Sequence, residues 1–242
     1  METTPEVTPR VLIAIPAHNE AATIVEVVTS AGRHGHPVLV VDDGSRDTTG
    51  DLARESGATV ITLGANLGVG AARRRAYRYA VEHEFDIVVE CDADGQHPTE
   101  DIPRLVDELS RSGADLMIGS RFKDGASGSI PVVRRLVMWL LALAATRAAG
   151  SRVTDSTSGF RAVRRPLIDA FADSLPDHFL GDTFEIVVAT GRAGYQVGEC
   201  SVQMSNRAHG RATASSLQSV GLTMRALVNA VLLRRPRLPM RD

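Results

Sequence analysis

Ile87 to Pro98 reads IVVECDADGQHP, a β-branched apolar run that stops at acidic residues. Ile87 to Cys91 has the length and composition of a strand buried on both faces, and Asp92, Ala93 and Asp94 form its exit. The same pattern occurs twice before it. Val11 to Ile15 is a strand leading into IPAHNE (Ile15 to Glu20), and Val38 to Val41 is a strand leading into Asp42, Asp43, Gly44 and Ser45. Helical stretches separate them, at about Glu20 to Gly32, Thr48 to Ser56 and Gly70 to Glu84, with a further strand at Thr59 to Leu63. Near-continuous apolar strands alternating with helices specify an α/β fold, with a mostly parallel sheet covered by helices on both faces. Such sheets bind ligands outside the carboxyl ends of their strands, so these exits are where function is sought.

The second half is less regular. A helix runs from Pro98 to about Arg111, opened by Thr99, Glu100 and Asp101 as helix N-termini favour. Leu116 to Gly119, Gly159 to Val163 and Gln196 to Val202 read as strands. Val132 to Ala149, Gly181 to Arg192 and Thr213 to Leu233 read as helices, the last one amphipathic. The glycine-rich Lys123 to Ser129 reads as a mobile loop. One domain over residues 1–233, followed by a basic tail over 234–242, accounts for the chain.

Composition narrows the function classes. The 242 residues carry a formal net charge of -2, so nothing draws the protein towards nucleic acid. Lys123 is the only lysine; a general arginine bias explains this, and the competing reading is that some arginines grip phosphate through their planar fork, which only position can separate. Cys91 and Cys200 have no metal-ligand spacing, and a reducing, cytoplasmic compartment is the default. Met1 to Arg10 lacks the apolar core of a signal peptide. The apolar run Leu136 to Ala145 is too short to span a bilayer, so no membrane anchor is expected.

The exits carry the chemistry. In an extended chain, residues i and i+2 point the same way, so Asp92 and Asp94 can face one cation. Magnesium and manganese take hard oxygen ligands and leave positions open for substrate phosphates. Gln96 and His97 can add a ligand or a hydrogen bond. A solvated acidic turn ahead of a helix is the competing reading. In VVDDGSRDTT (Val40 to Thr49), Asp47 and Thr48 suit helix capping, whereas Asp43 has no local cap to make. A base or ribose contact is the stronger reading for Asp43. Asn19 in IPAHNE would serve as a helix cap.

These three runs resemble family 2 glycosyltransferases, most of all the branch of dolichyl-phosphate mannose synthase and related polyprenyl-phosphate sugar transferases. The match continues through NLGVGAA (Asn66 to Ala72), GSRF (Gly119 to Phe122), DSTSGFRAVRR (Asp155 to Arg165) and RAHG (Arg207 to Gly210). The resemblance implies the GT-A fold, a Rossmann-like α/β domain, and transfer of a sugar with inversion from a nucleotide-sugar donor of the GDP-mannose or UDP-hexose type. Pro16, His18, Glu20, Val41 and Asp43 would hold the nucleoside. Asp92 and Ala93 would approach ribose, diphosphate and metal, with Asp94 and Gln96 as the main ligands of Mg2+ or Mn2+. Arg121 and Arg207 would contact phosphates, joined by Arg134 or Arg135 when the glycine-rich loop closes. The pattern places a serine and a lysine after RAHG, where this chain has Ala212 and Thr213, and Arg211 would substitute.

The acceptor divides the remaining readings. A polyprenyl phosphate is already anionic and needs no base. An acceptor hydroxyl would need one, and Asp182 and Glu185 in GDTFEIV are the candidates, although stabilisation of a helix N-terminus also explains them. The final helix and basic tail suit a peripheral place on an anionic membrane face. A non-catalytic nucleotide-binding module is the alternative from another class.

Overall fold

The computed structural model describes residues 8–124, 132–175, 183–204 and 238–241, without the side chains of 132–135. Among them, seven strands form one sheet: β1 (Val11–Ala17), β2 (Val38–Asp42), β3 (Thr59–Thr62), β4 (Ile87–Glu90), β5 (Leu116–Ser120), β6 (Arg161–Arg164) and β7 (Val197–Ser201). Their spatial order is β3-β2-β1-β4-β6-β5-β7. The first four pair in parallel, as do β5 and β7. β6 alone runs antiparallel, between β4 and β5. The expected mostly parallel α/β sheet is therefore what forms.

Period-two alternation sorts the strands' side chains between two cores. Val11, Ile13, Ile15, Val38, Val40, Ile87 and Val89 face one side. There they meet α1 (Ile24–Gly32), α2 (Thr49–Glu55) and α4 (Ile102–Ser112). Leu12, Ala14, Leu39, Val41 and Val88 face the other side. That side is covered by α3 (Val69–Glu82), α5 (Val132–Ala149), α6 (Leu167–Ser174) and α7 (Thr183–Arg192). Each aliphatic side chain buried this way contributes about 1.5–3 kcal/mol.

Several boundaries differ from the sequence reading. α1 begins at Ile24 rather than near Glu20, because Asn19 takes a left-handed backbone (φ 56°) that interrupts a helix there. β4 stops at Glu90, and Ala93 and Asp94 lie in a turn. β6 begins at Arg161, not Gly159. α6 was not expected; its apolar residues Leu167, Ile168, Ala170 and Phe171 are all buried. Residues 238–241 dock against the domain. Leu238 is buried, the Arg241 N–H donates to the Ala193 carbonyl at 2.8 Å, and its guanidinium meets buried Asp115 at 2.6 Å. Asp115 lies just before β5, so this anchor sits at the sheet edge remote from the strand exits.

α5 and α7 pack closely because position 191 has no side chain. A Cβ on Gly191 would lie 2.5 Å from the Ala148 carbonyl oxygen and from Ala149 Cα, both backbone atoms that cannot swing aside. Gly191→Leu should therefore lower the urea midpoint, with a loss of about 1–3 kcal/mol from overpacking. An unchanged midpoint would show that the two helices tolerate a wider spacing.

Candidate active site

The exits of β1 and β2 are stitched into one surface. Ala17 is level with Asp42, and the Asp43 N–H donates to the Ala17 carbonyl at 2.8 Å. Asn19 does not cap α1. Its left-handed backbone turns it across to the β2 exit, where its N–H donates to Ser45 Oγ at 2.9 Å and its Oδ1 accepts from the Arg46 N–H at 2.8 Å. His18 Nδ1 lies 2.8 Å from the Asp43 carbonyl, which can only accept, so Nδ1 carries the proton. His18 Nε2 then accepts from the Asn19 amide at 3.0 Å. Glu20 joins the same seam, its N–H donating to Thr49 Oγ1 at 2.8 Å. Asp47 does cap α2, accepting from the N–H and hydroxyl of Thr49.

Asp43 corrects one sequence argument. Its two carboxylate oxygens accept the N–H groups of Leu67 and Gly68, each at 2.8 Å. Gly68 is the N-cap of α3 and has no side chain, so Asp43 fixes the entry to that helix from the exit of β2. The neighbouring Asp42 is buried and accepts from the Ser45 N–H at 3.0 Å. Gly44 (φ 67°) lets the loop pass beneath residues 65–66, where a Cβ would meet the Ala65 carbonyl carbon at 2.6 Å. Pro16 is half-buried at the end of β1. The side chains of Val41 and Ala93 are shut inside the two cores, so a ligand can reach only their backbone.

At the β4 exit the extended-chain geometry expected for Asp92 and Asp94 is replaced by a turn. Asp94 Oδ1 accepts the Gln96 N–H at 3.1 Å, and Gly95 follows with φ 75°. Asp92 is held from three sides. Its N–H donates to His97 Nδ1 at 2.9 Å, which leaves the proton on Nε2, 3.4 Å from the Asp92 carboxylate. Burial pushes the His97 pKa below the usual histidine value, against the pull of Asp92 and Asp94, and the ring stays neutral. Arg73 Nη2 lies 3.6 Å from the other oxygen. Gly159 forms the third wall, where a Cβ would sit 2.7 Å from Asp92 Oδ2. The Asp92 side chain keeps 37% of its surface open.

Behind Asp92 lies a buried charged cluster at Glu90. Tyr77 donates its hydroxyl to Glu90 Oε1 at 2.6 Å. Arg161 donates to Oε2 through Nε at 2.9 Å and again through Nη2. Arg73 Nε lies 3.3 Å from the same oxygen. Burial pushes the Glu90 pKa up, but Arg161 and Arg73 together pull it below the usual carboxylate value. Across the sheet, buried Asp155 receives Arg121 on both oxygens, at 2.7 and 2.8 Å. Arg121 Nη2 also reaches Thr157 Oγ1 at 2.9 Å, and 31% of the arginine side chain remains open. Glu199 accepts the N–H groups of Thr154 and Asp155 at 2.7 and 2.8 Å and so fixes that loop.

Most of the expected site residues thus converge on one edge. Glu185 is half-buried in the first turn of α7, whose C-terminus runs through a short link into the start of β7, so this turn faces the same edge. Asp182, Arg207, Ala212, Thr213 and the helix expected at 213–233 lie outside the described residues, as does the side chain of Arg134. Participants not singled out from the sequence include Arg73, Glu90 and Asp155, as well as Tyr77 and Arg161 in the Glu90 cluster. Arg73 shares a helix face with Ala76, Tyr77 and Ala80, and Glu90 closes a buried apolar strand, so both were detectable as charges in apolar positions. For a divalent cation, no group of three or more His, Cys, Asp or Glu among the described residues is arranged as a closed site. Asp92 and Asp94 supply hard carboxylate oxygens of the kind Mg2+ and Mn2+ take, without the shared extended geometry expected for them.

Comparison with known proteins bears on the family and the fold. The family model for glycosyl transferase family 2 matches residues 12–171. The chain is 32% identical to undecaprenyl-phosphate mannosyltransferase of Micrococcus luteus, over 91% of this chain and 92% of that protein. It is 35% identical to polyprenol monophosphomannose synthase of Mycolicibacterium smegmatis, over 83% of this chain and 79% of that one. Glucosyl-3-phosphoglycerate synthase from Mycobacterium tuberculosis, solved with Mn2+, uridine diphosphate and glucosyl-3-phosphoglycerate, superposes with a TM-score of 0.66 at 23% identity. That match covers 100% of this chain and 88% of the other and bears on the fold alone. The chain belongs to glycosyl transferase family 2 and is a glycosyltransferase of GT-A fold.

Gly159 gives a test of the site that spares the fold. An added methyl would displace only the Asp92 carboxylate. Gly159→Ala should lower kcat/KM for sugar transfer on the order of tenfold, the equivalent of about 1.4 kcal/mol. Its thermal midpoint should stay near that of the wild type, and undiminished activity would show that the carboxylate's position is unimportant.

Proposed function

We propose that this enzyme transfers a hexosyl group from a nucleoside-diphosphate sugar to a polyprenyl phosphate at a membrane surface. The donor half of the reading is carried by one observation: the parallel strands β2 and β4, on either side of β1, end at Asp43 and at Asp92 and Asp94 on a single edge, and Asp92 is partly open to solvent. The acceptor half is supported by relatives named for undecaprenyl phosphate and polyprenol, matched over most of their length. No helix among the described residues is long and apolar enough to cross a membrane. α5 supplies a different kind of contact. Leu136, Trp139, Leu140 and Leu143 form an exposed stripe along it, with Trp139 58% exposed. The helix has no acidic residue and carries Arg134, Arg135 and Arg147, a composition suited to lying on an anionic lipid surface.

The chemistry follows from charge. An acceptor phosphate oxygen attacks the anomeric carbon from the face opposite the leaving group, so the configuration inverts. The electrons of the broken bond pass to the diphosphate oxygen, and no proton need move. Pro16, His18, Glu20, Asp43 and the backbone at Val41 and Ala93 form the nucleoside side. Asp94, Gln96 and Asp92 would hold the cation, which when bound would offset charge on the diphosphate. Arg121, clamped by Asp155 in a fixed orientation, offers donors to the leaving group, where a preoriented contact is worth most. Arg207 and Arg134 are assigned to phosphates as well.

Purified enzyme should move label from a nucleotide sugar to polyprenyl phosphate only with divalent metal, and Asp94→Asn should lower kcat about 10²–10³-fold. Equal labelling in excess chelator would remove the metal from the mechanism. Glu185→Gln should leave transfer to polyprenyl phosphate intact; its abolition would shift the reading towards a hydroxyl acceptor. For the membrane contact, Trp139→Glu should reduce co-sedimentation with anionic vesicles while binding of the nucleotide sugar persists. Unaltered co-sedimentation would place the contact elsewhere.

A further inference from the structure

We infer that Arg73 is a positioning residue: it reaches from α3 across the buried Glu90 cluster to hold the Asp92 carboxylate in place before donor and metal arrive. The inference rests on the donor site proposed above and assigns the group that sets its geometry.

Three consecutive arginines, Arg73, Arg74 and Arg75, occupy α3, and their fates differ. Arg75 meets Glu82 on the surface, and Arg74 donates to the Ala172 carbonyl. Arg73 is turned inward, with only 5% of its side chain exposed, on the helix face shared with Ala76, Tyr77 and Ala80. Such burial is tolerable only against negative charge. Glu90 does not account for it alone. Arg161 already meets Glu90 with two nitrogens, and the Tyr77 hydroxyl takes the other oxygen. Burial, and then Glu90 itself, keep Tyr77 protonated and neutral. Two guanidiniums therefore face the Glu90 carboxylate, and Arg73 alone of the two also has an ion-pair contact with Asp92. The distances agree: Arg73 spans from Glu90 at 3.3 Å to Asp92 at 3.6 Å.

The helix that carries Arg73 is itself anchored at the nucleoside side. Asp43 holds the N–H groups of Leu67 and Gly68, the two residues just before it, and Arg73 leaves its second turn. A helix is stiff over so short a distance, so the acids at the β2 and β4 exits are held at a set separation by one rigid element. On this account Arg73 acts through Asp92 and touches neither sugar nor phosphate.

A double-mutant cycle tests this, read as kcat/KM for donor and as the metal concentration giving half-maximal rate. Arg73→Met keeps the apolar stem and leaves Glu90, Arg161 and Tyr77 paired. It should raise the metal requirement and the donor KM about tenfold, and Arg73→Lys, a point charge without the fork, should recover only part of that. In the Asp92→Asn background, Arg73→Met should change either quantity less than about twofold, because the group it positions has lost its charge. An equal loss in both backgrounds would overturn the inference and make Arg73 merely structural. Should Arg73→Met fail to fold, the same cycle is run with Arg73→Lys, which keeps the buried charge, and is judged the same way. Asp92→Asn with wild-type metal requirement would instead sink the donor-site reading itself.

Discussion

Carboxylates gathered at one edge of a sheet repel one another, and every other feature of this edge can be understood as a response to that repulsion. Asp42 is satisfied by the Ser45 N–H, Asp43 by the N-terminus of α3, Glu90 by Arg161 and Tyr77, and Asp92 by Arg73 and His97. Asp42 is met within its own turn, whereas Asp43, Glu90 and Asp92 each have a partner drawn from another part of the chain. The edge is therefore organised before any ligand binds, and groups fixed in advance lose little free energy to reorganisation when charge develops. The open part of Asp92 is what remains for a cation or a donor.

The antiparallel strand β6 makes this possible. Because it runs against β4 and β5, its leading residues fall at the edge where those strands end. Arg161 sits level with Glu90 on one side and Ile118 on the other. The residues just before it bring Gly159 against Asp92 and Asp155 against Arg121. A parallel strand in this place would have sent the same residues to the opposite edge, beside Asp115, where the chain's end is anchored by Arg241. One reversal of direction thus joins the acidic and the arginine-bearing halves of the site.

Much of this was legible in the residues. The apolar runs at Val11, Val38 and Ile87 are too continuous for a half-exposed sheet, and their acidic ends mark the functional edge. Local patterns also exposed Asp47 as a cap, because capping depends on near neighbours. The reading failed in two ways: for Asp43 the deciding contact was distant in sequence, and for Asp92 and Asp94 a local turn took the place of the strand. Asp43 looked free of capping duty, yet it fixes the entry to a helix beginning 26 residues later. Asp92 and Asp94 were read as an extended pair, yet the strand stops at Glu90.

The sequence by itself determined the layered α/β architecture, the family, and which strand ends bear acids, since periodicity and strand-end chemistry are local properties. Only the tertiary structure decided which partner each acid receives. β6's direction, Arg73's inward turn and the Asp155 clamp on Arg121 depend on strand order and helix placement. The physical reason is burial: a charge removed from water must find its counter-charge wherever the fold brings one within reach, however far along the chain it lies.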